Sequence, residues 1–197
     1  MTLELPAVPA GSVLDAVTGR VAIQRNNLLE SLGTDLDDLR LIGDGEGIDS
    51  LLITACPLLP TIDTFDTLAS AGDGIKISSL DALATITGFN GIETISNVGE
   101  SAGSLEISSN ANLTSVTGFQ SLATVGPGDV EITDNPSLTS IAGLRNLATV
   151  GGSLILTNLP SLTDLSELES LTTVGDECEI DANLLDSAPQ NVVDACA

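Results

Sequence analysis

Between Leu105 and Gly175 the chain repeats one phrase three times: LEISSNANLTSVTGFQSLATVG, VEITDNPSLTSIAGLRNLATVG and LILTNLPSLTDLSELESLTTVG. Equivalent residues recur at intervals of 25 and 24, as in Ile107, Ile132 and Leu156, or Leu122, Leu147 and Leu171. A fixed period of this size means stacked coils, each burying its apolar residues against its neighbours. No other feature limits the fold so tightly.

The template is a short strand with two apolar residues around an outward one, then a polar pair often containing Asn. Apolar residues follow at intervals of about three, and Gly closes the coil. Alternation puts the two apolar strand residues inside. The later apolar residues suit tight 3₁₀-like turns. Gly72, Gly126, Gly151 and Gly175 are expected to turn the backbone tightly, often at positive φ. Extending the template gives seven strands, at 21–23, 51–53, 75–77, 105–107, 130–132, 154–156 and 178–180. An amphipathic helix is ruled out over the same stretch, because Gly, Pro, Thr and Ser interrupt every turn. The expected fold is therefore an all-β solenoid of about seven leucine-rich coils of 24–30 residues. A cap over 1–20 precedes the coils of 21–182, and a second cap over 183–197 follows. At the front, Ser12 caps a short helix reaching Val17, with Val13, Leu14 and Val17 facing the first coil. At the back, Leu184, Leu185, Val192 and Val193 cover the last coil.

The phrase GSLEISSNANLTSVTGFQSLATVG, with its L-x-[IL]-x-x-N-x-x-L core, resembles the receptor L-domain branch of the leucine-rich-repeat superfamily. The resemblance spans about residues 45 to 182. It implies a right-handed β-solenoid acting as a recognition or wall-associated module at the cell surface, with no catalytic residues to carry over. The Asn column departs from the pattern: it reads Asn26, Cys56, Leu80, Asn110, Asn135, Leu159 and Asn183, which interrupts any buried amide ladder.

Composition sets limits on chemistry. There is no His, which removes the commonest metal ligand and general base, and with them most zinc-enzyme and Ser-His-Asp readings. With 28 Asp+Glu against five Lys+Arg, the net charge of −23 excludes a nucleic-acid footprint and disfavours anionic membranes. Attraction to a basic partner or Ca²⁺, and plain solubility in a saline medium, both fit such a charge. No run of about 18 apolar residues exists, so no helix inserts into a membrane. The first twenty residues lack a basic segment and a continuous apolar core, so they do not read as a signal peptide. The alternatives are a cytoplasmic protein or an excised mature segment, and the family resemblance implies the extracellular one.

Candidate sites follow from the columns. Outward strand residues place Lys76, Glu106, Ser108, Glu131, Thr133, Asp134, Ile155 and Thr157 on one wall, the expected surface for a protein or glycan ligand. Glu106 beside Glu131 is a like-charge pair that a cation or basic ligand would offset. Asp44, Glu46 and Asp49 lie on a Gly-rich loop whose oxygens suit Ca²⁺, without the EF-hand spacing. Thr94, Thr124, Thr149 and Thr173 form a hydroxyl column of the kind a flat β-face can set against ice; Thr61, Thr85, Ser115, Ser140 and Asp164 form a second. Cys178 and Cys196 can bridge in an oxidising compartment. Cys56 sits at an Asn position as a small buried thiol. The favoured function is a non-enzymatic recognition or surface-structural module. Ice binding and a carbohydrate-active β-helix enzyme are the alternatives; the enzyme reading rests on fold analogy alone.

Overall fold

The structure, a computed structural model, describes residues 16–17, 20–33, 39–42, 51–96 and 102–197. Among these, the seven expected strands form one parallel sheet in sequence order: Val21–Gln24, Leu51–Thr54, Gly74–Ser78, Ser104–Ser108, Val130–Thr133, Leu154–Thr157 and Cys178–Ile180. Ile107 pairs with Ile132 and Ile132 with Leu156, so the repeat spacing sets the register. A second seven-stranded parallel sheet runs Ala16–Val17, Leu41–Ile42, Ser70–Ala71, Thr94–Ser96, Thr124–Gly126, Thr149–Val150 and Thr173–Val174. A third has three strands, Thr61–Ile62, Thr85–Ile86 and Ser115–Val116, extended by a bridge from Ser115 to Ser140. Successive repeats thus add one strand to each of the first two sheets, and only the middle repeats contribute to the third, an all-β, solenoid-like arrangement with little helix.

The core is continuous along the stack. Ile75, Ile77, Leu105, Ile107, Val130, Ile132 and Leu156 are fully buried from the first sheet, and Ile95, Val125 and Val150 from the second. Phe65, Phe89 and Phe119 stack along the axis with ring centroids 5.0 and 4.7 Å apart. Leu144 and Leu168 continue that column as the ends of two 3₁₀ turns, Ala142–Leu144 and Ser166–Leu168.

Tight turning is handled differently from the sequence expectation. Of the four closing glycines only Gly126 takes a positive φ, +154°. The left-handed positions belong instead to Phe65, Phe89 and Phe119, at φ 62–69°, and to Arg25, Ala55, Ser79, Ser109, Asp134 and Asn158, at 53–57°. Left-handed backbone is costly for residues with a Cβ. Inter-repeat hydrogen bonds hold it there: Phe119 N–H donates to Gly88 O at 3.2 Å, and Asp134 N–H to Thr157 O at 3.1 Å. Glycine is needed one residue before Phe89, Phe119 and Leu144 for a separate reason, close approach. A Cβ on Gly118 would lie 1.9 Å from Gly88 O, and one on Gly143 1.6 Å from Gly118 O.

Both ends need comment. The expected helix through Val17 is corrected: Ala16–Val17 is a strand pairing in parallel with Leu41–Ile42, covering a sheet edge that would otherwise stay open. Residues 12–15 lie outside the described residues. At the other end two short helices follow the last strand, α1 (Ala182–Leu185) and α2 (Gln190–Ala195). Leu184 and Val192 are buried in the core, whereas Val193, expected to help cover it, is 45% exposed on the outer side of α2. The side chain of Leu185 is not among those described. Asn191 anchors α2 by donating to Leu168 O and Leu171 O, each at 2.8 Å.

Candidate ligand-binding wall and groove

The outward rank of the first sheet reads Ala22, Leu52, Lys76, Glu106, Glu131, Ile155 and Glu179, each in register with the next. A hydroxyl rank runs beside it: Thr54, Ser78, Ser108, Thr133 and Thr157. The two ranks are bonded to each other. Ser108 donates to Glu106 Oε1 at 2.7 Å, and Thr133 to Glu131 Oε1 at 3.2 Å. Thr54 and Ser78 share a hydrogen bond of 3.0 Å.

Glu106 and Glu131 stand side by side, as the repeat spacing implies. Lys76, on the opposite side of Glu106, forms a salt bridge with its carboxylate, with side chains 34% and 23% exposed. The chain itself therefore offsets Glu106. Glu131 has Ile155 on its far side and, among the described residues, no cation against its carboxylate, which accepts the Thr133 hydroxyl. A half-exposed pair of this kind contributes at most about 1 kcal/mol. Its larger effect is to fix where the negative charge sits.

Where the strands leave the wall, the left-handed residues Ser109, Asp134 and Asn158, with Asp181 beyond them, form one rim of an open groove of about 710 Å³. Ala111, Pro136, Pro160 and Asn183 complete its lining. Asn158 Nδ2 donates to Asp134 Oδ1 at 2.9 Å, and Leu159 N–H to Asp181 Oδ2 at 3.0 Å. The groove is rich in acceptors, has apolar surface at Ala111 and the two prolines, and has no Lys or Arg among its lining residues. It suits hydroxyl- or amine-bearing ligands lying along the stack.

Of the wall residues picked from the sequence, Lys76, Glu106, Ser108, Glu131, Thr133, Ile155 and Thr157 share the sheet face, and Asp134 lies on the groove rim. Sequence reasoning missed Asn158, Asp181 and the two prolines. Their signal was present in Thr133-Asp134-Asn135-Pro136 and Thr157-Asn158-Leu159-Pro160, a small polar residue after the strand and Pro two positions on.

The remaining candidates fall elsewhere. Asp44, Glu46 and Asp49 lie outside the described residues, among which no group of three or more Asp, Glu or Cys is placed to hold a metal ion. The Thr94, Thr124, Thr149 and Thr173 column is in register on the second sheet. Thr61, Thr85, Ser115 and Ser140 align on the third, and Asp164 lies beyond its paired stretch. Cys178 and Cys196 are joined in a disulfide that ties the last strand to the end of α2. Cys56 is a fully buried free thiol facing Thr54 O and Ile23 O at 3.5 and 3.9 Å. Compared with family models, with curated proteins and with solved structures, the chain matches none.

Proposed function

We propose that the chain is a right-handed, leucine-rich β-solenoid of receptor L-domain type, and that it works as a non-enzymatic recognition module at the cell surface or outside the cell. Its ligand lies across the first sheet and into the bordering groove. The observation that carries this reading is the continuity of the two: Glu131 and Thr133 on the wall lead directly into Asp134 on the rim, and the same step recurs one repeat later as Ile155, Thr157 and Asn158. A flat face with fixed acceptors beside a concave border offers both area and orientation to a protein or glycan. The net charge of −23 favours a basic or neutral partner over an acidic one.

The test is a side-by-side screen of the whole chain and a double variant, Glu131→Arg with Asp134→Arg, on an oligosaccharide array and a peptide library. Loss in the variant of those probes that bind the parent chain supports the wall. Binding that survives both substitutions removes it. A screen of polysaccharides for released reducing ends addresses the enzyme alternative; turnover there would replace the recognition reading.

A further inference from the structure

The second sheet carries a face unlike the first. Ser70, Thr94, Thr124, Thr149 and Thr173 stand in unbroken register across five adjacent strands. Their inner neighbours Ala71, Ile95, Val125 and Val150 are fully buried, so alternation along each strand directs the hydroxyl-bearing residues outward. Thr94 and Thr173 are exposed, and Ser70, Thr124 and Thr149 half-buried.

Among the described residues, none of these five hydroxyls is tied to a protein partner; the same holds for Thr61, Thr85 and Ser115 on the third sheet, whereas other hydroxyls along the stack are bonded within the chain. Thr114, Thr139 and Thr172 each donate to a carbonyl of the preceding repeat, at 3.0, 3.0 and 3.1 Å. Ser108 and Thr133 donate to glutamates. The hydroxyls of the second sheet remain available to something outside the chain.

The flanks are as distinctive. Over the two central repeats the sequence is Ala123-Thr124-Val125-Gly126 and Ala148-Thr149-Val150-Gly151, with no charge in either stretch. Within those two repeats the rank is flanked by small uncharged residues, whereas one strand back the exposed Glu93 stands beside Thr94. Strand spacing sets the rank at intervals of about 4.8 Å, a span of about 19 Å over five strands. Thr is also stiff at χ1, so hydroxyl and methyl are presented in one orientation.

A ligand that meets evenly spaced, uncharged hydroxyl and methyl groups on a rigid face must itself repeat at that interval and need no counter-charge. Rows of oxygen atoms on the surface of ice do so. Each Thr hydroxyl both donates and accepts, as a lattice water does, while the methyl groups and flanking alanines hold no tightly bound hydration shell to displace. We propose that this face binds ice, independently of whatever the first sheet recognises.

The experiment measures ice recrystallisation with the full chain at micromolar concentration, together with uptake of the fluorescently labelled chain into a growing ice hemisphere. The double variant Thr124→Tyr with Thr149→Tyr interrupts the middle of the rank, and Gln120→Tyr, exposed and off this face, serves as the control. Circular dichroism and the melting temperature confirm that each is folded. The expected result is inhibition and uptake by the parent and the control, with at least tenfold more of the double variant required. No inhibition and no uptake by the parent overturns the proposal. So does a folded double variant that is as active as the parent, which would move ice binding to another face. Adsorption to microcrystalline chitin without any effect on ice also overturns it, and would reassign the rank to a crystalline glycan.

Discussion

Asn135 Oδ1 accepts the backbone N–H of Asn110, one repeat away, at 3.0 Å, and both residues are fully buried. Asn110 Oδ1 in turn accepts the N–H of Leu80 at 3.1 Å, and Asp181 does the same for Leu159 at 3.0 Å from the start of the C-terminal cap. The amide ladder is interrupted, as the sequence implies, but a carboxylate resumes it where the Asn column ends. Asn135 also donates to Ile107 O and Thr133 O, at 2.9 and 2.8 Å. Asn135→Leu keeps a side chain that the column already accepts at Leu80 and Leu159, yet removes all three bonds from buried groups. A loss of about 2–4 kcal/mol in urea unfolding is expected. A loss below about 0.5 kcal/mol would mean the ladder is incidental.

The glycine before Phe119 gives a sharper steric test. Gly118→Ala drives a Cβ into the carbonyl of Gly88, backbone that cannot move without separating two repeats. Phe89→Leu, in contrast, puts at this position the residue that Leu144 and Leu168 supply further along; it loses the ring stacking, worth about 0.5–1.5 kcal/mol per pair, and part of the buried ring volume. The alanine variant is expected to be the more damaging of the two, in melting temperature and in soluble yield. The opposite order would place the tight contact elsewhere.

These two columns also mark how far the sequence could be read. Strand positions, register and the buried ranks were legible because alternation and the repeat interval both constrain them, and they agree. Positive φ at Phe65, Phe89 and Phe119 was not, since left-handed backbone is ordinarily signalled by Gly or Asn and at Phe89 and Phe119 is held by hydrogen bonds donated to the preceding repeat. The Gly88-Phe89, Gly118-Phe119 and Gly143-Leu144 pairs stand in the sequence, but their close approach to the preceding repeat is a property of the stacking and carries no local signal. Ala16–Val17 was read as helix because a two-residue strand has no periodicity of its own; only the open edge at Leu41–Ile42 explains it. On the wall, Glu106 beside Glu131 followed from the columns, whereas the Lys76 salt bridge needed the strand order.

Asp164 supplies a pH prediction. Its carboxylate accepts the Ser166 N–H and the Ser166 hydroxyl, each at 2.7 Å, at the start of a 3₁₀ turn. The backbone bond first, and the hydroxyl second, hold its carboxyl below the usual aspartate range. A depressed folded-state value means that the stabilisation is complete above the unfolded value. It is lost as pH falls through the folded one. The site is exposed, so the effect on global stability is small. A carboxyl-carbon NMR titration should place the midpoint below that of an unstructured Asp. In Ser166→Gly, which lacks the hydroxyl, the midpoint should move part of the way back up; a midpoint unchanged by that substitution would dissociate the shift from the hydroxyl.

Lys76→Met tests how the wall manages its charge. The variant leaves Glu106 in register with Glu131 and without its cation. The expected loss is under about 1 kcal/mol in low-salt buffer. Salt weakens the pair in the parent and relieves the repulsion in the variant, so the difference should shrink in molar NaCl. A gap that does not change with salt would assign the loss to packing of the lysine stem.

The disulfide between Cys178 and Cys196 closes a loop with a sequence separation of 18 around α1 and α2, and on the chain-entropy view a loop of this size contributes about 3 kcal/mol. Its action should nevertheless be local, because in a stacked architecture each repeat is stabilised by its neighbours and the end unit has only one. In Cys196→Ser, α2 keeps Val192 in the core and the two Asn191 bonds, but loses its tether to the last strand. Hydrogen exchange should therefore accelerate at Val192, Leu184 and Ile180 while the Ile107–Ile132 pair stays protected, and limited proteolysis should trim the chain after about Asp181. Uniform acceleration along the whole stack would show instead that the terminal helices and the repeats unfold as one unit, and that the end of the stack governs its middle.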